Sequence, residues 1–248
     1  MNKTRAALIH FWPSVLLLAI IAGLILLVWY PHPFLQFKDT GKFSLLLIIC
    51  GALIGPILTW LFYKQGKWGL KFDLIIIVLI QVTAIAWGTR ALYLNRPYFM
   101  VFTVDRFEVL TMRDVDFAGI NDERFLDKPF ASPILLYANM PKDEQTFQKL
   151  IKEIMFEGKP DLQYRPEFWS LYADRQERVL EVSQPLEKLR SARPESQKKI
   201  DSMVKNNGGN IERLMFVPAL LQNGQFAAVL NSDTGEYIDA LVIDPWIK

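Results

Sequence analysis

The chain has 248 residues, 51% of them in the hydrophobic set, and a formal charge of +2, a size and composition suited to one globular domain or two small ones. The charge is divided unevenly, with eight Lys or Arg against two acids up to Asn95 and four more acids than bases from Arg96 on, so the later part lacks the basic footprint of a nucleic-acid binder. A single cysteine, Cys50, excludes an intrachain disulfide, and because both histidines, His10 and His32, lie in the first part, residues 96–248 lack Ser-His and Cys-His catalytic pairs and the commonest zinc ligands.

The first predicted element covers residues 11–30, a run of 20 residues without a formal charge that is long enough at about 1.5 Å per residue to cross a hydrocarbon core about 30 Å thick. It continues through Val28-Trp29-Tyr30 into Pro31 and Pro33 with no small-residue cleavage site, and therefore reads as a retained helix rather than a signal peptide. The second, residues 43–63, ends on the interface-favouring aromatics Trp60, Phe62 and Tyr63 and carries Pro56, where a kink is expected. The third starts at Leu74 and is uncharged to Thr89. It reaches full length only if Arg90 snorkels and residues 91–94 extend it. Lys and Arg beside these runs number five on the side of the N-terminus and second loop and four on the other side, a margin of one that favours a cytoplasmic N-terminus. Three crossings then put the rest of the chain in the periplasm. Gly51 and Gly55 form a GxxxG spacing that lets another helix approach closely, or else a chance pair of glycines. Gln81 and Thr83 can donate interhelical hydrogen bonds.

After Pro97 the pattern changes to short strands, 98–104 and 107–112 on either side of Asp105-Arg106, then a charged irregular stretch over 114–133 with Pro129 and Pro133. Residues 143–157 predict a helix with Phe147, Leu150, Ile151, Ile154 and Met155 on one face, stopped by Gly158 and Pro160. A mostly polar helix is expected over 183–204, interrupted by Pro194, followed by a flexible connector at 206–209. Strands return at 214–220, 225–230 and 237–243, the last two joined by the turn residues Asp233-Thr234-Gly235. The expected architecture is a membrane domain over 1–95, with helices near 11–30, 43–63 and 74–94, followed over 96–248 by a soluble, periplasmic α+β domain with a small antiparallel sheet.

Catalytic constellations are weak. Asp105, Glu108, Asp114 and Asp116 are acids without calcium-loop spacing, as expected of alternating charges on half-exposed strands. No phosphate-binding or dinucleotide glycine motif is present. The segment Tyr164-Arg165-Pro166-Glu167-Phe168-Trp169 gathers aromatics around an arginine, the composition either of an anchoring corner of the domain or of a partner-binding patch built on Arg165, Phe168 and Trp169.

Taken in order, the three N-terminal helices, the stretch from Arg96-Pro97 through Tyr98-Phe99-Met100-Val101-Phe102-Thr103-Val104-Asp105-Arg106-Phe107, the 164–169 segment, Thr234-Gly235-Glu236 and the terminal Asp244-Pro245-Trp246 resemble the type IV pilin accessory proteins. These are small inner-membrane proteins encoded beside particular pilins in Gram-negative bacteria. The resemblance implies a non-enzymatic accessory protein in pilus biogenesis that stabilises or presents a cognate type IV pilin in the inner membrane. It implies a chaperone or assembly factor, and the residues add the expectation of no cofactor, metal, nucleic acid or small-molecule substrate, with membrane lipid as the other contact. The partner-binding residues expected on this reading are Gly51, Gly55, Arg165, Phe168 and Trp169. The competing expectation is a membrane-anchored periplasmic sensory or signalling module, which the short cytoplasmic loops leave little means to transmit.

Overall fold

The computed structural model describes residues 2–126, 133–222 and 224–247, and the chain divides into two compact units, Met1–Arg96 and Pro97–Lys248. In the first unit, α1 (Lys3–Leu24) begins well before residue 11 because Asn2 caps it, its side-chain oxygen accepting from the Arg5 N–H at 2.9 Å. The helix then passes into one π-helical turn, Ile25–Trp29, closed by the Tyr30 N–H donating to the Ile25 carbonyl at 2.9 Å. Helix α2 (Lys38–Phe62) carries Pro56 in its interior, and α3 (Leu70–Leu94) starts after Gly69, whose φ of +84° suits glycine. Each helix is long and apolar enough to cross a membrane. The third spans 25 residues and ends at Leu94 as expected but starts at Leu70, four residues earlier than Leu74, taking in Lys71, Asp73 and Arg90, and Asp73 is paired with Lys67 at 2.5 Å near its entrance. Helix α2 packs on both α1 and α3.

In the second unit β1 (Pro97–Thr103) and β2 (Arg106–Thr111) form an antiparallel hairpin that turns at Val104 and Asp105. Every residue of β1 is buried, as in a strand covered on both faces. The charged stretch that follows is irregular where described, built on two short turns capped by Asp116 and Asp122; its residues 127–132, including Pro129, lie outside the described residues. Next come β3 (Ile134–Ala138), α4 (Glu144–Phe156), β4 (Trp169–Leu171), a single-turn α5 (Gln176–Leu180) and a two-residue β5 (Gln184–Pro185). The helix expected over 183–204 is two helices, α6 (Leu186–Ala192) and α7 (Gln197–Asn206), because Pro194 opens a separate turn between them. They bury Leu186, Leu189, Ile200 and Met203. The connector at 206–209 closes α7, the Gly209 N–H donating to the Val204 carbonyl at 2.8 Å in the manner of a glycine helix cap. Strands β6 (Leu214–Leu221), β7 (Gly224–Asn231) and β8 (Tyr237–Leu241) complete the chain.

The sheet corrects the sequence expectation. It has eight strands rather than a few, in the order β4-β3-β1-β2-β6-β7-β8 with β5 beside β6. It is also mixed, since β1 pairs parallel to β3 and β2 parallel to β6, the other pairings being antiparallel. Two apolar clusters cover it. One gathers Phe99, Val101, Leu136, Leu150 and Trp169. The other gathers Leu186, Leu189, Ile200, Phe216 and Val229.

Candidate functional site

The residues singled out in the sequence fall into two places. Within the helical unit, Gly51 and Gly55 face the chain's own helices. A Cβ on Gly51 would stand 3.0 Å from Leu18 Cδ2 and 3.2 Å from Ile85 Cγ1, and one on Gly55 would overlap the Gln81 carboxamide. The absent side chains make room for a buried polar line. Gln81, 6% exposed, donates through Nε2 to Ser14 Oγ at 2.9 Å and to the Gly51 carbonyl at 2.7 Å. Ser14 Oγ donates to the His10 carbonyl at 2.9 Å, and His10 Nδ1 lies 2.6 Å from Thr59 Oγ1. The expected interhelical bonding therefore comes from Gln81, whereas Thr83 is exposed. Close helix approach at the GxxxG spacing is real, and the approaching helices are α1 and α3 of the same molecule.

The second place is the corner at 164–169. Trp169, 7% exposed, lies in the core against Phe99 with ring centroids 5.0 Å apart, and its indole N–H donates to the Gln163 carbonyl at 3.1 Å. Phe168 is half-buried beneath the Arg165 guanidinium, 5.1 Å from its ring centroid. Arg165 in turn donates to Glu153 Oε2 at 2.7 Å and to Glu167 Oε1 at 2.9 Å, while Lys159 Nζ donates to Glu153 Oε1 at 2.9 Å. The hydrogen bonds from Lys159 and then Arg165 hold the Glu153 carboxyl down at about 2. The segment thus ties the turn before β4 to α4, with Trp169 buried in the core.

Glu153 and Lys159 were not singled out in the sequence. The available signal was an acid three residues after Leu150, on the face of α4 that turns inward: Leu150 and Glu153 are the buried residues of that helix. Met155, expected on the inner face, is 68% exposed, and Phe156 beside it is 77% exposed. The four acids weighed for catalysis lie at turns and on β2. Asp105 pairs with Arg106 at 2.9 Å, Asp114 accepts from the Thr111 N–H at 2.7 Å and Asp116 from the Ala118 N–H at 3.0 Å. Glu108 is half-buried on β2, and burial raises its carboxyl above the usual range. Among the described residues no group of three His, Cys, Asp or Glu is placed to hold a metal.

Three apolar helices of membrane-crossing length followed by an α+β unit on a mixed sheet define the class: a membrane protein with a separate folded unit after its helices. The family model for the fimbrial assembly protein FimB matches residues 1–37. The chain is 29% identical over 232 residues, covering 88% of each chain, to the fimbrial assembly protein of serogroup I from Dichelobacter nodosus. Over 126 residues it is 38% identical to the protein of serogroups C1 and C2 from the same organism, covering 94% of that protein and 46% of this chain. The chain belongs to this family of fimbrial assembly proteins, which bears out the resemblance to pilus accessory proteins. No solved structure matches it.

Proposed function

We propose that the protein is a non-enzymatic accessory factor of fimbrial biogenesis that stabilises or presents a cognate pilin in the bacterial inner membrane before assembly, its N-terminus cytoplasmic and its α+β unit periplasmic. The observation that carries this reading is the likeness, over most of the chain, to proteins named for fimbrial assembly, in a molecule with three apolar helices. Such a helper needs a surface in the bilayer and another outside it. Because the Gly51 and Gly55 face is filled by α1 and α3, contact within the bilayer falls to the outward apolar faces of the helices. Outside it, the exposed pair Met155 and Phe156 at the end of α4, next to the Glu153–Arg165 corner with its half-buried Phe168, is the patch we assign to docking, since apolar surface of this kind marks interaction sites.

The test is a deletion strain complemented with the wild type or with M155S/F156S, read by the level of membrane-resident pilin, by surface fimbriae and by pilin co-purifying with the tagged protein. The deletion is expected to lower pilin and fimbriae together. The double variant, folded and inserted, is expected to retain less pilin. Pilin and fimbriation unchanged by the deletion would overturn the proposal.

A further inference from the structure

The helical unit carries a groove of about 480 Å³ lined by Leu17, Ile21 and Trp29 from α1 and its π turn, and by Val82, Ile85, Ala86, Thr89, Arg90 and Tyr93 from α3. Its two ends differ. From Leu17, Ile21, Val82, Ile85 and Ala86 it is wholly apolar, whereas Trp29, Thr89, Arg90 and Tyr93 gather at the other end. That end lies where both helices finish: the Trp29 and Tyr93 rings meet edge to face at 5.2 Å, and the Tyr30 hydroxyl donates to the Leu92 carbonyl at 2.7 Å. Aromatic residues and an arginine at the ends of apolar helices mark the level of the lipid headgroups.

The polar groups at this end are donors seeking an acceptor. Trp29 is 7% exposed, yet its indole N–H has no partner among the described residues, nor has the buried Thr89 hydroxyl. Arg90 forms no ion pair among the described residues. A buried donor without an acceptor is costly enough that native structures usually satisfy it. Moreover, the turn that carries Trp29 is the one π-helical stretch among the described helices, and such turns are frequent at functional sites.

The dimensions select the occupant. Val82 to Tyr93 covers roughly 16 Å at about 1.5 Å per residue, close to one leaflet, half of a hydrocarbon core about 30 Å thick. A helix about 10 Å across and of that length fills on the order of 1,000 Å³, so it would stand largely outside this groove, while a single acyl chain fits within it. We propose that the groove binds one anionic phospholipid, an acyl chain lying along Leu17, Ile21, Val82 and Ile85 and the phosphate received by the exposed Arg90 at the aromatic end, as basic sites between membrane helices receive anionic headgroups.

Native mass spectrometry of the full-length protein, released from mixed vesicles of phosphatidylglycerol and phosphatidylethanolamine, tests this. The wild type is expected to retain one phosphatidylglycerol in preference to phosphatidylethanolamine. R90Q should lower that preference about fivefold, the worth of one basic residue near a membrane surface, while K71Q, at the opposite end of α3, should leave it unchanged. A86W fills the apolar end without touching the donors and should abolish retention of either lipid. Equal retention of the two lipids by the wild type, or no change in R90Q and A86W, overturns the proposal. So does a photo-crosslinker at Ala86 that captures a protein helix in membranes instead of lipid.

Discussion

At the scale of single residues, Glu153 is the group whose chemistry is most altered by the fold. Its ionised form gains hydrogen bonds from Lys159 and Arg165 in the native state, which lowers its carboxyl from an ordinary 4.5 to about 2. A depressed folded value means that the unfolded chain takes up the proton first, so the stabilisation is complete above pH 4.5 and is lost as the pH falls from there towards 2. Urea denaturation followed from pH 7 to pH 3 should show a decline in stability that E153Q reduces, and equal slopes for the two proteins would contradict the assignment. Val104 presents the opposite situation, a residue held against its preference. It occupies the first position of the two-residue turn between β1 and β2 with a φ of +51°. That backbone conformation is strained for a β-branched side chain and natural for glycine, and the side chain is 67% exposed with little packing to lose. V104G is therefore expected to raise stability by about 1 kcal/mol, measured by thermal or urea unfolding. A loss of stability would show that the valine makes a contact that outweighs its strain.

At the scale of elements, the close approach in the helical unit depends on two missing side chains. A methyl at Gly55 would meet the Gln81 carboxamide, which is itself fixed to Ser14 and to the Gly51 carbonyl, so neither partner is free to yield. G55A is expected to cost about 1–3 kcal/mol, as overpacking does in tightly filled interiors, seen as a lower melting temperature in detergent. An unchanged melting temperature would show that α2 and α3 can slide apart without loss. This pairing illustrates what was legible. Uncharged runs marked all three membrane helices, because hydropathy acts through every residue of a long segment. Which face of α2 is occupied, and by what, depends on Leu18, Ile85 and Gln81 arriving from distant positions, and no local pattern records that. The sheet divides in the same way. Strands β1, β2, β6, β7 and β8 have apolar or β-branched runs bounded by turns, and the Asp233-Thr234-Gly235 turn was readable from its residues: the Asn231 side chain accepts from the Asp233 N–H at 2.8 Å. Strand β3 is five residues after a proline-bearing stretch, β4 is three and β5 two, too short for periodicity to register. Missing β3 also hid the parallel pairing with β1, and with it the mixed character of the sheet. The corner at 164–169 was visible by composition, but its inward orientation follows from Glu153 on another element.

At the scale of the whole molecule, the proposed topology makes a prediction independent of any partner. A reporter active only in the periplasm, fused after residue 248, should be active, and a cytoplasm-only reporter at the same place should be silent. The reverse result would invert the orientation or remove one crossing. The order in which strands are made also matters. Strands β4-β3-β1-β2 form a contiguous half-sheet from the earlier part of the unit, and the outer edge of β2 is covered by β6 through only two residue pairs, Phe107 with Ala219 and Glu108 with Leu220. During synthesis that edge stands bare until residues beyond Leu214 have emerged, and a bare strand edge pairs with whatever extended chain is near. A chain stopped anywhere between Thr111 and Leu214 would therefore carry an adhesive margin, and the segment from Leu214 on acts as the seal that makes the finished protein safe to accumulate beside its neighbours in the membrane.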